Sequence, residues 1–199
     1  RSASDTPARL RALWALHVTG GLDARTAIAN LKSSDEWLRA WTIQLAFESE
    51  ANLRRLIQEA NDAGLRADPD LNQLAETDPS PLVRLFIAAA AQRSPSEEFR
   101  AGLVRRLLRH SEDAGDHNLP LMIWFAMEPL VVDHPEEALA AALETKLPQI
   151  LNFTARRIAA LGTSEARDGL TAKLATLDDA KKQLDVLLGF SAALRGQRN

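Results

Sequence analysis

The chain has 199 residues and a formal net charge of −3, with 24 lysines and arginines against 27 aspartates and glutamates. A charge so small and mixed gives no general attraction to nucleic acid or to anionic membranes. No cysteine is present, which excludes disulfides, thiolate catalysis and covalent c-type haem within these residues. No apolar run approaches the roughly 20 residues that span a bilayer. We therefore predict neither nucleic-acid binding nor membrane insertion.

Helix is the predicted secondary structure throughout. Alanine, leucine and arginine dominate the composition and tyrosine is absent, a balance that favours helix over sheet. Apolar residues recur at helical spacing, beginning with Leu10, Leu13, Trp14 and Val18. Glycine, serine, proline and aspartate break this pattern and predict about a dozen helices. The predicted breaks lie at residues 19–21, 33–35, 63–64, 94–95, 114–116 and 162–164.

Three helix starts resemble one another. Residues 5–11 and 78–84 share an aspartate, a proline in the first turn and then an apolar residue followed by arginine. Residues 33–39 keep this spacing and end in Leu38-Arg39. We expect the aspartate or serine to cap the helix and the proline to be tolerated in the first turn. The apolar residue should face the core, and the arginine should lie at the edge and pair with an acid of the next unit.

Prolines 120 and 148 open later helices in a related way, so the pattern predicts repeated units. HEAT repeats are about 40 residues long, and the spacing here is less regular. The sequence predicts an all-α protein, an α-solenoid or α-α superhelix of about five to six degenerate HEAT-like helix pairs. We expect one monomeric domain over residues 1–199, with 194–199 as a frayed tail or linker. A single globular helical bundle is the alternative. The predicted units begin near residues 7, 35, 79, 118, 148 and 179.

Three segments resemble a known family. They are residues 9–17 (RLRALWALH), 35–41 (DEWLRAW) and 115–130, of which Asp-His-Asn-Leu-Pro at 116–120 is the most specific part. Together they resemble the helical-repeat region of large secreted proteins from planctomycetes and relatives, known as PVC-type haem-binding or membrane-bound dehydrogenase-like proteins. In that family a β-propeller commonly precedes the repeats, and a cytochrome c domain with a CxxCH motif follows them.

The resemblance implies a non-catalytic scaffold or interaction module. It would be an internal fragment that links a dehydrogenase-like propeller to a cytochrome c domain in a larger periplasmic or exported protein. The first residue is arginine, and we interpret the chain as an excised or processed fragment. Its partners would be neighbouring domains of the same polypeptide or another protein. No cofactor is expected in this chain, since the haem would lie in a separate domain, and we predict no enzymatic activity.

Residues 110–117 hold the candidate metal ligands. His110, Asp113, Asp116 and His117 lie within eight residues, and imidazole and carboxylate are ligands for divalent metals. A metal-binding or ligand-binding helical module is therefore an alternative function. A solvated loop between helices needs the same capping acids and turn residues, and no HExxH motif is present.

Glu128 is a candidate buried polar group. It is the only ionisable residue between Asn118 and Asp133, and a buried carboxylate needs a cation or has a raised pKa. Trp124 lies one turn earlier and suggests a ligand pocket. The structural alternative is an ion pair of Glu128 with Arg84, Arg156 or Arg157, or exposure where Pro129 disturbs the helix. Asn118 itself is predicted to cap the following helix.

Four arginines make one predicted helix locally basic and form a candidate interaction surface. Glutamates open this helix and acids follow it, which suits the helix dipole and also fits an ordinary solvated face. The tryptophans could line a groove, although aromatic residues at helical spacing usually belong to a core. No phosphate-binding glycine loop or hydrolase motif is present. The four arginines are Arg100, Arg105, Arg106 and Arg109.

Overall fold

The computed structural model describes residues 5–65, 69–147 and 149–196. These residues form twelve α-helices, one short 3-10 helix at 111–115 and no β-strand. The predicted all-α class is confirmed. The helices are α1 (Thr6–Val18), α2 (Ala24–Leu31), α3 (Glu36–Ala46), α4 (Glu50–Asp62), α5 (Pro69–Thr77), α6 (Pro81–Arg93), α7 (Glu97–Leu107), α8 (Leu119–Asp133), α9 (Pro135–Glu144), α10 (Ile150–Ala160), α11 (Ser164–Ala175) and α12 (Ala180–Gly196).

Polar caps determine where several helices begin. The side chain of Asp35 accepts a hydrogen bond from the Trp37 amide at 3.1 Å at the start of α3. Four other side chains accept a bond from a first-turn amide in the same way: Asp23 at α2, Ser49 at α4, Ser80 at α6 and Thr163 at α11. These bonds satisfy amides that have no partner within the helix. Prolines lie in the first turns of α1, α6 and α8 as predicted. Residue 148, predicted to open a helix, lies outside the described residues.

Glycine ends several helices. Gly64 has a φ of 65°, a left-handed conformation that costs glycine little. The following amide, of Leu65, donates to the Ala60 carbonyl at 2.7 Å, which closes the end of α4 as a Schellman motif does. The predicted breaks lie outside the α-helices, except that Ser164 is the first residue of α11. A further break at residues 47–49 has no glycine or proline and was not predicted.

The first of two compact units ends at Leu107 and contains α1 to α7. Within it α3 packs most extensively against α6, and also against α1, α2 and α4. Helix α5 packs against α6 and α7, and α4 against α2. The side chains that these helices bury include Leu22, Leu38, Ile43, Val83, Ile87 and Leu103.

The second compact unit begins at Leu108 and contains α8 to α12. Helix α10 is its centre, because it packs most extensively against α12 and also contacts α8, α9 and α11. A single domain over residues 1–199 stays a prediction. The buried side chains here include Leu119, Ile123, Met127, Val131, Ile150 and Ile158.

Helix α12 continues to Gly196, so residues 194–196 of the predicted frayed tail or linker are helical, and that tail or linker stays a prediction. The positive charge of Arg195 in the last turn of α12 is favourable beside the negative end of the helix dipole. Residues 197–199 lie outside the described part. Among the described helices, none combines the length and the apolar character needed to cross a membrane.

Candidate functional site

A buried ion pair joins two of the helices that begin predicted repeats. The Arg39 guanidinium in α3 donates to both carboxylate oxygens of Asp78, from Nε at 2.7 Å and from Nη2 at 2.8 Å. The third guanidinium nitrogen donates to the Ser33 carbonyl at 2.8 Å. Both side chains are almost fully buried. The predicted pairing of Arg39 with an acid of the next unit is confirmed, but the arginine is buried where the sequence predicted an edge position.

The same carboxylate also organises the start of α6. It accepts a hydrogen bond from the Ser80 amide at 2.9 Å, and the Asp78 carbonyl accepts one from the Arg84 Nη1 at 2.6 Å. The Ser80 hydroxyl in turn donates to the Glu36 carboxylate at the start of α3. Because a buried charge is stable only when paired and hydrogen-bonded, this network fixes how α3 and α6 meet.

A related contact joins α1 to α3. Asp35, the cap of α3, accepts a hydrogen bond from the Thr6 hydroxyl at 2.6 Å and lies 3.9 Å from the Arg9 Nη1. Arg9 is the fourth residue of α1, as Arg39 is of α3 and Arg84 is of α6. The similarity of the three helix starts predicts Arg11 at this position, but Arg11 is exposed. Helix α1 begins at Thr6, before the proline, which shifts the inward-facing position by two residues.

The candidate metal ligands are not brought together. His110 Nδ1 lies 2.8 Å from Glu112 Oε1, Asp113 is 3% exposed, and His117 is exposed. Within residues 5–65, 69–147 and 149–196, no group of three or more histidines, aspartates or glutamates could hold a metal ion. A metal site in this segment stays a prediction that no described cluster supports.

Asp116 has a structural role as the cap of α8. Its Oδ1 accepts hydrogen bonds from the amides of Asn118 and Leu119, both at 2.8 Å. Asn118 occupies the predicted cap position but makes no side-chain cap bond, so the residue that caps is two positions earlier. The bonds from the Leu119 and Asn118 amides hold the pKa of the Asp116 carboxyl below its ordinary value of 3.8.

Replacing this cap should give a pH-dependent loss of stability. We expect Asp116→Ala to lower the free energy of unfolding by about 1 kcal/mol at pH 7. Because the folded-state pKa is lowered, the contribution of the carboxylate is complete above the unfolded-state pKa and is lost as the pH falls through the folded-state pKa. Urea denaturation at pH 7 and pH 3 should therefore show the gap to wild type narrowing in acid. Asp168→Ala, at an exposed position of α11, is the control and should change little; a gap independent of pH would contradict this assignment.

Two of the four candidate surface arginines are partly buried and donate to backbone carbonyls. Arg100 donates from Nε to the Ala91 carbonyl at 3.2 Å and from Nη2 to the Ser94 carbonyl at 2.8 Å. It therefore caps the carboxyl end of α6, where carbonyls lack helical partners. Arg106 donates to the Gly102 carbonyl of its own helix at 2.9 Å.

The other two arginines lie in different units. Arg105 is exposed on α7, and Arg109 follows the end of that helix and belongs to the second unit. Arg105 and Arg109 are the exposed members of the four, and the Arg105 Nε donates to the Ala101 carbonyl of its own helix at 3.3 Å. A role for these arginines in an interaction stays a prediction.

Glu128 is half-exposed, so it is not the buried carboxylate that the candidate polar site requires. Its side chain is 42% exposed and its Oε1 lies 3.4 Å from Arg157 Nε. This is the structural alternative given above, an ion pair with one of three named arginines. Trp124 is buried nearby in α8 and packs against Phe153 with ring centroids 5.4 Å apart.

The remaining tryptophans belong to the first unit. Trp14 and Trp41 pack edge to face with centroids 5.0 Å apart, and Trp41 also contacts Phe86 at 5.9 Å. Trp41 packs on the core cluster that includes Leu13, as the periodicity predicts, whereas Trp37 is 46% exposed.

An apolar cavity of about 460 Å³ opens in the first unit between α2, α3 and α4, with α5 and α7 at its edge. No charged residue is present among the described residues that line it. Phe47 and Phe99 stack in its wall with centroids 6.4 Å apart and planes 7° from parallel. Such a volume falls within the usual range for small-molecule sites.

One polar group in the cavity wall has no hydrogen-bond partner. Thr42 in α3 lines the cavity and is 1% exposed, and its hydroxyl oxygen makes no hydrogen bond. Thr42 is not among the candidate residues predicted from the sequence. Its only sequence signal is a threonine in an apolar helix face between Leu38 and Leu45.

Comparisons with family models, with curated proteins and with solved structures found no match to this chain. The resemblance to the planctomycete repeat region therefore stays a prediction.

Proposed function

We propose that the chain is a non-catalytic interaction module built from HEAT-like helix pairs. The observation that carries this proposal is a contact that occurs twice between helices at predicted repeat starts. An arginine at the fourth position of one such helix contacts the aspartate that precedes or caps the following one, α3 after α1 and α6 after α3. It occurs from Arg9 to Asp35 and from Arg39 to Asp78. In repeat arrays each unit is stabilised by its neighbours, and a contact that recurs between consecutive first helices suits such stacking.

Packing in the second unit supports the same proposal. Helix α8 contacts α10, and α10 contacts α12. These helices start at residues 119, 150 and 180, near the repeat starts that the sequence predicted. The first helices of successive pairs thus pack on one another within each unit.

Three of the polar side chains that the sequence marked as candidates make contacts within the fold. Asp116 caps a helix, Arg100 caps another, and Glu128 pairs with Arg157. Contacts of this kind favour a module whose role is to present a surface. On the resemblance described above, we infer that its partners are neighbouring domains of a larger exported protein, with haem bound in a separate domain.

The coding sequence on either side of this segment tests the linking role. We expect a β-propeller to be encoded upstream and a CxxCH-containing domain downstream. In the parent protein, chemical cross-linking should then join exposed lysines of this segment to both domains. A start codon directly before Arg1 and a stop codon directly after Asn199 would contradict the linking role, and so would a parent without cross-links.

A further inference from the structure

We propose that the outward face of α12 is a docking surface for one short amphipathic α-helix of a neighbouring domain, a helix that has an apolar face and acidic residues at both ends. The inference rests on the interaction role proposed above and deepens it by naming the surface and the chemistry of its partner. The juxtaposition that carries it is a row of exposed leucines on α12 with a cation at each end.

The leucine row lies on the side of α12 that does not pack within the second unit. Val186 and Ala193 are buried, and a Cβ on Gly189 would meet the backbone of α10, so these residues mark the side that faces α10. At 100° per residue, four leucines lie on the opposite side within an arc of about 120°. Contiguous exposed apolar side chains of this kind mark interaction sites. The four, between 39% and 54% exposed, are Leu184, Leu187, Leu188 and Leu194.

A cation stands at each end of the leucine row. Lys181 lies three residues before Leu184, and Arg195 lies seven residues after Leu188, so both share the face of the leucines. Both cations are exposed, and no ion pair to either is found among the described residues. Asp179, the acid nearest to Lys181 in sequence, accepts hydrogen bonds from the amides of residues 181 and 182 instead. The row therefore presents two positive charges to a partner.

These charges determine which partner the row favours. Acidic residues near both ends of a docked helix would meet Lys181 and Arg195, and such complementarity speeds the encounter and fixes the register. A second copy of this chain would place cation against cation. An antiparallel pair of α12 helices opposes Lys181 to Arg195, and a parallel pair opposes each cation to itself. Because like charges so placed are unfavourable, the partner differs from this chain.

Helix α9 is an example of such a partner helix within the second unit. Its first turn contains Glu136 and Glu137, and Glu144 is its last residue. Its buried residues are all alanine and leucine, and it packs against the first helices α8 and α10. A helix with this pattern therefore already packs on two helices of the kind to which α12 belongs.

The shape of the row favours a helix over a lipid surface. Ser191 lies in the middle of the row and is exposed. A small residue lets a partner helix approach closely, whereas a hydroxyl is unfavourable in hydrocarbon. At 1.5 Å per residue, the row from Lys181 to Arg195 is about 21 Å long, so a helix of about 15 residues covers it.

Two stapled helical peptides of this length test the surface. Both carry leucines at positions i, i+3, i+4 and i+7 on an alanine background. The glutamate peptide has two glutamates in each terminal turn, and the lysine peptide has two lysines there. We expect fluorescence anisotropy to show that the wild-type chain binds the glutamate peptide about tenfold more tightly than the lysine peptide.

Lys181→Glu combined with Arg195→Glu reverses the charge at both ends of the row. We expect this variant to bind the glutamate peptide about tenfold more weakly than wild type does and to bind the lysine peptide more tightly. Lys146→Glu combined with Lys173→Glu is the matched control, since it makes the same change of net charge at exposed positions outside α12. The control should bind both peptides as wild type does.

Leu187→Ala combined with Leu188→Ala removes the apolar centre of the row. Both side chains are about half-exposed, so the fold should be retained, which circular dichroism verifies. We expect at least about tenfold weaker binding of the glutamate peptide. Leu16→Ala combined with Ile57→Ala is the control, because it truncates two exposed apolar side chains of the first unit, and it should leave binding unchanged.

Three binding results would overturn the proposal. They are no binding of the glutamate peptide to wild type, equal affinity of wild type for the two peptides, and a charge-reversed variant that binds as its control does. Analytical ultracentrifugation should show a monomer, and a dimer that the leucine variant dissociates would identify a second copy as the occupant instead. Sedimentation with phosphatidylglycerol vesicles that depends on the two leucines, without peptide binding, would identify a lipid surface. Peptide failure alongside cross-links to neighbouring domains would overturn this surface alone and leave the interaction role standing.

Discussion

Asp78→Ala is expected to lower the free energy of unfolding of the first unit by about 3–5 kcal/mol. The substitution leaves the Arg39 guanidinium buried without its carboxylate, and such an unpaired charge is strongly unfavourable. It also removes the acceptor for the Ser80 amide at the start of α6. Urea denaturation followed by tryptophan fluorescence measures the change well, because Trp14, Trp37 and Trp41 all lie in the first unit.

Arg54→Ala is the matched control for Asp78→Ala. Arg54 pairs with Glu50 on the surface of α4, and the two side chains are 75% and 50% exposed. An exposed pair of this kind contributes about 0.5 kcal/mol or less. Equal effects of Asp78→Ala and Arg54→Ala would contradict the view that burial makes the Arg39–Asp78 pair structurally essential.

Gly189→Ala is expected to have the second large effect, a loss of about 3 kcal/mol of stability in the second unit. A Cβ at this position of α12 would collide with the Asn152 carbonyl oxygen and lie 2.9 Å from the Arg156 backbone nitrogen. Both are backbone atoms of α10, so the helices can accommodate the methyl group only by moving apart. Overpacking of a core typically costs about 1–3 kcal/mol, and a clash with backbone belongs at the upper end.

Gly169→Ala is expected to raise the stability of the second unit, the opposite of the effect of Gly189→Ala. This glycine lies within α11, and a Cβ there would meet no atom within 4 Å. Alanine should raise stability by about 0.5–1 kcal/mol, because glycine is a poor helix former. Thermal unfolding of the two variants should thus move Tm in opposite directions. A Gly189→Ala variant as stable as wild type would contradict the close approach of α10 and α12.

The helices and one of the repeat contacts were predictable from sequence. Local signals carry this information: Asp35 and Ser80 are good caps, and an apolar residue followed by arginine recurs six residues after an aspartate or serine. The partner of Arg39 was predicted as an acid of the next unit. Its burial was not, because exposure depends on how closely α3 and α6 approach, and this distance is not encoded in either helix alone.

Other features depend on details that a sequence pattern does not contain. Arg9 takes the inward position of α1 instead of Arg11 because the helix begins at Thr6, a shift of two residues at a helix end. Glu128 was a candidate for burial because its neighbours are apolar, and it lies on the exposed side of a helix whose other sides are packed. An isolated ionisable residue in an apolar run does not show which side of the helix faces solvent.

The cavity could not have been predicted. Its walls come from helices α2, α3 and α4 and from Phe99, residues separated by as many as 75 positions. A cavity is a volume that side chains do not fill, so it exists only once the packing of all these elements is known.

A double-mutant cycle on Arg39 and Asp78 tests most directly whether this buried ion pair holds α3 and α6 together. The free energy of unfolding is measured for wild type, Arg39→Met, Asp78→Ala and the double variant. We predict a coupling free energy of about 2 kcal/mol or more, since the two groups are in direct contact and buried. A coupling near zero, no larger than that of the exposed Glu50–Arg54 pair measured in the same way, would contradict it.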